Sequence, residues 1–289
     1  QLMPLAFACG WGGVITMVGT PPNIIATGAL KAAGLPTFSF FEFAWIGIPL
    51  SLAGMLYMMF IGKYLLPKVE LSADQEIAQE IEAKTTSTSK QMISGLILLL
   101  VVVTMAIGIP GITLEMAAVI GAIVCVLTGC LTEKQAYGSI DWVTIFLFAG
   151  MMPIATSMDK TGAGALIADW TVGLMGGTPS PMVVTAVLFL LSCTLTQFMS
   201  NTAASALLCP IGLAIAKQLG ADPKAVVMAI AVAASCAFAT PVGTPPNTLV
   251  LGPGNYKFMD YVKAGVPLVI VSFIVSIIII PMVWPFFPA

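Results

Sequence analysis

The sequence predicts an all-α polytopic membrane protein built from two inverted repeats, each with a broken helix, and a re-entrant hairpin in the second. Three observations support this fold class. Of the 289 residues, 58% are hydrophobic and 8% are charged, whereas soluble domains carry about 25% charged residues. Apolar runs of about 20 residues match helical crossings of a bilayer, and no ten-residue alternation indicates a barrel. The letters VGTPPN occur at Val18 to Asn23 and again at Val242 to Asn247.

The repeated motif predicts a break in each of two apolar runs. Its consecutive prolines remove backbone N–H donors and fix φ, so a helix that enters the motif ends there. Broken backbone in a bilayer persists only where protein or a water-filled cavity satisfies its polar groups. Matched breaks in two halves are typical of the midplane site of secondary transporters. The alternative, two proline kinks that only shape packing, is less consistent with two matched copies.

The first repeat is predicted to occupy residues 1–67. It begins with an apolar run, Leu2 to Val18, which is followed by the break at Gly19 to Asn23. The next run, Ile24 to Leu35, is too short to cross a bilayer alone, so the two runs together form one interrupted crossing. Phe43 to Gly62 is long enough to be a complete span.

A polar stretch separates the two repeats. Residues 68–91 are rich in acidic residues, lysine, serine and threonine, and a small excess of lysines on one face places this linker in the cytoplasm. The second repeat, 92–289, opens with scaffold spans at 92–158. Residues 163–177 mix apolar residues with Asp169 and are predicted to form an interfacial helix.

A re-entrant hairpin is predicted at 181–219. Its apolar arms, Met182 to Met199 and Ala203 to Leu219, are separated only by the polar turn Ser200 to Thr202. No charge or aromatic ring marks this turn as reaching a membrane surface. Two complete spans remain the alternative, because hydropathy alone does not separate these possibilities.

The repeat extends beyond the motif, through the second broken helix at 225–255 and the last span at 264–287. At an offset of 218 residues the following pairs match: Phe40/Phe258, Glu42/Asp260, Gly47/Gly265, Pro49/Pro267 and Pro67/Pro285. The predicted path directs the two breaks oppositely, which makes the repeats inverted. A counterpart of Ser200 to Thr202 would lie before Gln1, so the chain is expected to lack its first hairpin.

The binding chemistry is predicted to reside at the hairpin tip and the breaks. The sequence contains no His and no Arg, so an anion would meet helix N-termini, which carry partial positive charge and unpaired N–H groups. Four side chains add donors near the tip and the second break: Asn201, Thr202, Thr244 and Asn247. A cation would take carbonyl and hydroxyl oxygens. An ordinary helix cap and turn is the alternative interpretation of the tip.

Together these motifs resemble the divalent anion/sodium symporters, which carry dicarboxylates, citrate or sulfate. The resemblance rests on Ser200 to Thr202, on both GTPPN motifs, on Ile140 to Gly162 and on Tyr261 to Leu268, and it covers nearly the whole chain. It implies a sodium-coupled, elevator-type transporter in a bacterial-type plasma membrane, often a homodimer. Sodium ions are the coupling ions, and no other cofactor is implied.

The resemblance also implies roles for individual residues. Cation ligands are expected at Thr196, Met199, Ser200, Asn201 and Gly243, with Met199 and Gly243 acting through backbone carbonyls and Gly19 serving a second sodium. Substrate contacts are expected at Asn201, Thr202, Thr244 and Pro245 on one side, and at Thr20 and Pro21 on the other. Asn23 and Asn247 complete the two broken-helix motifs. Without the first hairpin, half of the first sodium site and half of the anion site are expected to be missing.

Other functional classes fit the sequence less well. An anion exchanger or a proton-coupled carrier of the same fold is the alternative, although proton relays are built from ionisable residues, and the sequence has no His and no mid-span carboxylate relay, since Glu115 and Asp141 lie close to span ends. An enzyme would need a nucleophile with a base, or a metal cluster, and neither is indicated. No basic stripe suggests nucleic-acid binding. Sulfate, succinate and citrate would meet the same hydroxyls, amides and helix ends, so the substrate stays open.

Overall fold

The structure, a computed structural model, describes the chain in several ranges: 2–67, 88–107, 109, 111–140, 142, 145–146, 149–150, 153, 157, 160–174 and 179–287. Within these ranges the chain is helical and contains no strand. The fold divides into two compact units, a larger one of Gln1–Val69 with Val143–Ala289 and a smaller one of Glu70–Trp142. Most of the predicted linker, up to residue 87, lies outside the described residues.

The larger unit begins with a broken helix and a long span. Its first helices are α1 (Leu2–Val14), α2 (Pro21–Ala32) and α3 (Ala44–Tyr57). The third continues through a π-helical turn at Met58–Gly62 and a last turn at Lys63–Leu65. Helix α1 ends at Val14 rather than at Val18, because the chain turns before it reaches the prolines that begin α2.

The smaller unit contains α4 (Thr88–Ile107), α5 (Leu114–Leu127) and the short α6 (Glu133–Gly138). Thr113 caps α5 by accepting a hydrogen bond from Met116 N at 3.3 Å. Helices α4 and α5 pack on each other, and a Cβ at Gly121 would meet Val101, so a small residue is needed there. Much of the predicted third scaffold span, between 140 and 158, lies outside the described residues.

The remaining helices complete the larger unit. They are α7 (Ala163–Leu174), α8 (Pro181–Thr196), α9 (Asn201–Leu219), α10 (Pro223–Ala234), α11 (Pro245–Leu251) and α12 (Phe258–Val283). Four helices of the described chain are long and apolar enough to cross a bilayer: Ala44–Leu65, Ser89–Ile107, Asn201–Leu219 and Phe258–Val283. Helix α7 falls within the predicted interfacial segment, and its position at a membrane surface stays a prediction.

Helix α10 forms the centre of the larger unit. Every residue from Ala225 to Ala234 is buried, and α10 packs against α2, α8, α9 and α12. A helix that is apolar on all sides is stable only when neighbours surround it. The first half of each broken helix also packs against the second half of the other, α1 against α11 and α10 against α2. The two breaks are therefore brought into one region of the unit.

Two of the sequence pairs at offset 218 make similar contacts. Glu42 accepts a hydrogen bond from Ser39 N at 2.9 Å in the turn before α3, and Asp260, in the first turn of α12, accepts one from Lys257 N at 2.8 Å and so caps α12. This capping explains why α12 begins at Phe258, six residues before the predicted span. Gly47 packs against the backbone of Ile15, and Gly265 packs against the backbone of Phe238.

One ion pair joins distant parts of the larger unit. Lys224 Nζ lies 3.0 Å from Glu42 Oε1 and 5.3 Å from the centre of the Phe38 ring. Trp284 Nε1 donates to the same carboxylate oxygen at 3.1 Å. Lys224 lies in the first turn of α10 and Trp284 is the C-cap of α12. The carboxylate of Glu42 therefore links the beginning of α3 to the beginning of α10 and the end of α12.

Candidate functional site

The two GTPPN motifs have the same backbone conformation. Thr20 has φ −147° and ψ 142°, and Thr244 has φ −146° and ψ 143°. In each motif the first proline is the first helical residue, where its missing N–H costs nothing. Asn23 N donates to Thr20 O at 3.1 Å, and Asn247 N donates to Thr244 O at the same distance. The prolines therefore start a new half-helix in each copy, as the sequence predicts.

The motif asparagines fix the unwound segments. Asn23 Nδ2 donates to Thr16 O at 2.9 Å and to Val14 O at 3.4 Å. Asn247 Nδ2 donates to Thr240 O and to Ala237 O, both at 2.9 Å. Both side chains are fully buried. Each amide donates to carbonyls of the unwound segment, which an apolar environment requires to be satisfied; Thr16 O also accepts from Gly19 N at 3.2 Å.

The motif glycines are required by close packing. A Cβ at Gly243 would lie 2.8 Å from Ala237 Cβ and 3.0 Å from Thr196 O. A Cβ at Gly19 would meet Gly13 O and would lie 2.9 Å from Thr16 Oγ1. Real Cβ atoms are almost never found so close to backbone oxygen. Neighbouring atoms can therefore approach the backbone closely at both breaks only because glycine occupies these positions.

The hairpin tip and the second break together form an oxygen-rich group. Thr196 Oγ1 lies 2.7 Å from Asn201 Oδ1 and donates to Ala234 O at 2.8 Å. When the Asn201 amide is rotated by half a turn, its nitrogen donates to Gly243 O at 2.7 Å and to Ala234 O at 3.2 Å. This end of the amide faces two carbonyls and one hydroxyl, so the rotated orientation, with the nitrogen toward them, is the one that satisfies these partners. We call these four residues the cation group: Thr196, Asn201, Ala234 and Gly243.

The chemistry of the cation group suits a small monovalent cation. Helices α8 and α10 end at Thr196 and Ala234, and helix C-termini carry partial negative charge and unpaired carbonyls. Thr196, Ala234 and Gly243 offer neutral oxygens, and Asn201 offers one when its amide oxygen faces the group; the described residues contain no cluster of three His, Cys, Asp or Glu side chains. Divalent ions are normally bound with carboxylates. The group therefore offers hard oxygen ligands without the charge that a divalent cation would attract.

Donors for an anion lie next to the cation group. Helix α9 begins at Asn201, and its N-cap Ser200 accepts a hydrogen bond from Ala203 N at 3.1 Å. The N-terminal end of a 19-residue helix attracts negative charge. At the first break, Thr20 Oγ1 lies 3.4 Å from Ser235 Oγ, and Ser235 follows Ala234 in the chain. The structure thus connects Thr20 to the cation group through adjacent residues at the end of α10.

The other predicted site residues occupy the same two segments. Met199 N donates to Leu195 O at 3.1 Å, and Thr202 lies half-buried in the first turn of α9. Pro21 and Pro245 begin α2 and α11, and both are exposed. Gly19 lies at the first break, away from the hairpin in sequence. The structure brings Thr196, Asn201 and Gly243 into direct contact; the roles of the remaining residues stay predictions.

Three residues of this region were not predicted. Ala234 takes part through its carbonyl oxygen, which gives no signal in an amino-acid sequence beyond its place at the end of a helix. Ser235 reaches Thr20 across 215 residues of chain. Gln197 forms hydrogen bonds across the contact between the hairpin and the second break. A polar side chain within an apolar run was the only sign of this role in the sequence.

Comparison with known proteins places this sequence in a family. The sequence matches the family model described as Citrate transporter over residues 1–211 and 158–288. The chain therefore belongs to the citrate transporter family. This confirms the resemblance to the sodium-coupled divalent-anion carriers at the level of the family.

Individual relatives agree with this assignment. The protein named Uncharacterized transporter YfbS, from Escherichia coli strain K12, is 48% identical over 169 residues, covering 57% of this chain and 27% of that protein. An Uncharacterized transporter of Haemophilus influenzae is 32% identical over 304 residues, covering 98% of this chain and 62% of that protein. The Sodium-dependent dicarboxylate transporter SdcS of Staphylococcus saprophyticus is 24% identical over 310 residues, covering 98% and 58%. The chain spans at most about three fifths of these relatives.

The relatives are transporters and not enzymes. Together with the four candidate spans, the family assignment makes the chain part of an integral, multi-pass membrane protein.

Proposed function

We propose that the complete transporter containing this chain carries a divalent anion together with sodium ions. The observation that carries the proposal is the cation group, where the Asn201 amide lies 2.7–3.2 Å from the Thr196 hydroxyl and from the backbone carbonyls of Ala234 and Gly243. Carbonyls freed at helix breaks and helix C-termini are the ligands that transporters use for sodium. Dicarboxylate, citrate and sulfate are the candidate substrates, and the name of the SdcS relative supports a dicarboxylate.

Asn201 is proposed to serve both ions. Its side chain belongs to the cation group, and its backbone begins α9, whose first N–H groups have no partner within the helix. A cation on one side and an anion on the other would each reduce the electrostatic cost of binding its partner. Thr202, Thr244 and Thr20 supply hydroxyl donors on the anion side. Met199, Ser200 and Gly19 are proposed as further cation ligands, and Pro21 and Pro245 as substrate contacts.

Two architectural proposals accompany this function. The identical backbone at Thr20 and Thr244 and the crosswise packing of α1, α2, α10 and α11 support inverted repeats. An elevator mechanism requires the binding residues to move as one body. The hairpin, both breaks, α3 and α12 all belong to the larger unit, which is consistent with this requirement. A homodimer is proposed on the family resemblance alone.

Uptake into proteoliposomes tests the proposal. The complete transporter would be reconstituted, and entry of radiolabelled succinate, citrate and sulfate measured with an inward sodium gradient, with choline in its place, and with an inward proton gradient. We expect one class of anion to accumulate only with sodium. Uptake that follows the proton gradient, or that requires an internal anion, would instead establish the proton-coupled carrier or the exchanger.

A further inference from the structure

We propose that Gln197 is a positioning residue that sets the geometry of the cation group and thereby the affinity for sodium. This inference rests on the proposed function. Gln197 is the C-cap of α8, directly after Thr196 and four residues before Asn201. It touches no cation ligand through its side chain in the hydrogen bonds of the described residues. Its effect would therefore act through the backbone that it holds.

The amide of Gln197 bridges two chain segments. Nε2 donates to Cys193 O at 3.0 Å within α8 and to Cys236 O at 3.2 Å across the contact. Oε1 accepts from Ala239 N at 3.1 Å. The main-chain oxygen of Gln197 also accepts from Thr240 Oγ1 at 2.9 Å. Both ends of the amide and the main chain thus bind the segment between Cys236 and Thr240, which we call the clasped segment.

The partners fix the orientation of this amide. Its nitrogen faces two carbonyl oxygens, and its oxygen faces a backbone N–H, so a half-turn would place like groups together. The Asn201 amide is likewise satisfied in one orientation, in which its nitrogen donates to Thr196 Oγ1, Ala234 O and Gly243 O. Gln197 is consequently held in one arrangement directly before the hairpin tip.

The clasped segment lies between two members of the cation group. Ala234 precedes it by two residues, and Gly243 follows it by three. The other two members, Thr196 and Asn201, belong to the hairpin to which Gln197 belongs. Asn247 Nδ2 binds Ala237 O and Thr240 O and so holds the clasped segment to the half-helix that follows the break. Gln197 joins the same segment to the hairpin, so the distance between the two pairs of ligands depends in part on the contact that Gln197 makes.

Removal of the clasp is expected to weaken sodium binding selectively. Hydrogen-bonding partners behind metal ligands typically change metal affinity by about 10–100-fold when they are lost. A Gln197→Met variant keeps the length of the side chain and removes its hydrogen bonds. We expect the half-saturating sodium concentration to rise about tenfold, while the maximal rate at saturating sodium and the KM for the anion there stay unchanged.

The experiment measures anion uptake by the complete transporter in proteoliposomes over a sodium series. Gln218→Met is the matched control, because the Gln218 amide contacts Asp169 at an exposed position at the far end of α9. Thr240→Val is a milder second variant that removes only the bond to the main chain of Gln197 and should shift the sodium curve in the same direction by less. It decides the question if Gln197→Met does not fold.

The outcomes separate this inference from the proposed function. An unchanged half-saturating sodium concentration in Gln197→Met, or a reduced maximal rate with an unchanged sodium curve, would show that Gln197 has only a structural role. If Gln197→Met does not fold, an unchanged sodium curve in Thr240→Val overturns the inference. A wild-type transporter whose uptake ignores sodium would overturn the proposed function and this inference together.

Discussion

At the scale of single residues, Asn201 is central because its amide contains both a donor and an acceptor. Its oxygen can face the cation group, or its nitrogen can donate to Gly243 O and Ala234 O. An unpaired buried carbonyl costs free energy. On the proposed function, the nitrogen would satisfy these carbonyls when no cation is present, and the oxygen would add a ligand when one is bound.

The Glu42 ion pair gives a prediction for stability. Burial raises the pKa of Glu42, but hydrogen bonds from Ser39 and Trp284, together with the hydrogen bond and charge of Lys224, outweigh burial and lower it below 4.5. A lowered folded-state pKa means that the carboxylate stabilises the fold above the unfolded pKa, and that this contribution is lost as pH falls through the folded pKa. Hydrogen bonds to charged groups contribute about 1.5–3 kcal/mol each.

We therefore expect Glu42→Gln to lower the thermal stability of the detergent-solubilised protein at pH 7. The difference from wild type should shrink as the pH falls below about 4.5, because protonation then removes the wild-type charge as well. Asp260→Asn is the matched variant, because Asp260 accepts the corresponding hydrogen bond from Lys257 N. We expect Asp260→Asn to lower the thermal stability less than Glu42→Gln does. A difference between Glu42→Gln and wild type that stays constant down to about pH 3.5 would contradict this account.

Residue-scale prediction from the sequence reached side chains that the fold brings together. Thr196 and Asn201 were predicted as cation ligands on the resemblance, and the structure places them 2.7 Å apart; their role as ligands stays a prediction. Ala234 was missed, because any residue presents the same carbonyl. Gln197 was missed because its function depends on Cys236 and Ala239, which become its neighbours only after folding.

At the scale of elements, the two broken helices are supported by the spans that follow them. Gly47 of α3 packs against Ile15, and Gly265 of α12 packs against Phe238 and Ala239. These contacts occur directly before each break, so a small residue in the span lets the unwound backbone approach closely. The sequence pair Gly47/Gly265 thus corresponds to a pair of equivalent helix contacts.

Substitution of these glycines tests the contact. A Cβ at Gly265 would meet Phe238 O and would lie 2.8 Å from Ala239 Cα, and backbone atoms cannot move aside as a flexible side chain can. We expect Gly265→Ala to destabilise the protein by about 1–3 kcal/mol or more, the usual cost of overpacking. The measurement is thermal unfolding in detergent.

Gly12→Ala serves as the control for this substitution, because Gly12 lies in α1 and a Cβ at this position would have no neighbour within 4 Å among the described residues. Gly47→Ala should behave like Gly265→Ala, since its Cβ would lie 2.7 Å from Ile15 Cα. Equal melting temperatures for Gly265→Ala and Gly12→Ala would contradict the proposed role of the contact.

Element boundaries were predicted less closely than element identities. The structure has helices on either side of each break, in both hairpin arms and in the last span, as predicted, because prolines and apolar runs mark these elements in the sequence. Helix α9 begins at Asn201 rather than at Ala203, since Ser200 supplies the cap. Helix α12 begins earlier because Asp260 caps it. Caps use polar residues that a hydropathy pattern assigns to loops.

At the scale of the whole molecule, sequence composition was sufficient to predict a helical membrane protein. The described chain contains four helices that could cross a bilayer, and the family model matches over residues 1–211 and 158–288. Sequence did not indicate that α10, only 12 residues long, would be the buried centre of the larger unit. Its position follows from packing against α2, α8, α9 and α12, of which α2 belongs to the opposite end of the chain.

The most direct test of the account is the sodium dependence of anion uptake in an Asn201→Ala variant of the complete transporter. Asn201→Ala removes the side chain that joins the hairpin tip to Gly243 O and Ala234 O. Wild type, Asn201→Ala and the distant control Gln218→Ala would be compared in proteoliposomes at matched protein content and verified folding.

We predict that wild type and Gln218→Ala accumulate the anion only with an inward sodium gradient, and that Asn201→Ala loses this uptake by at least about tenfold. Sodium-dependent uptake by Asn201→Ala that equals wild type would contradict the assignment of the cation group and, with it, the proposed coupling at this site.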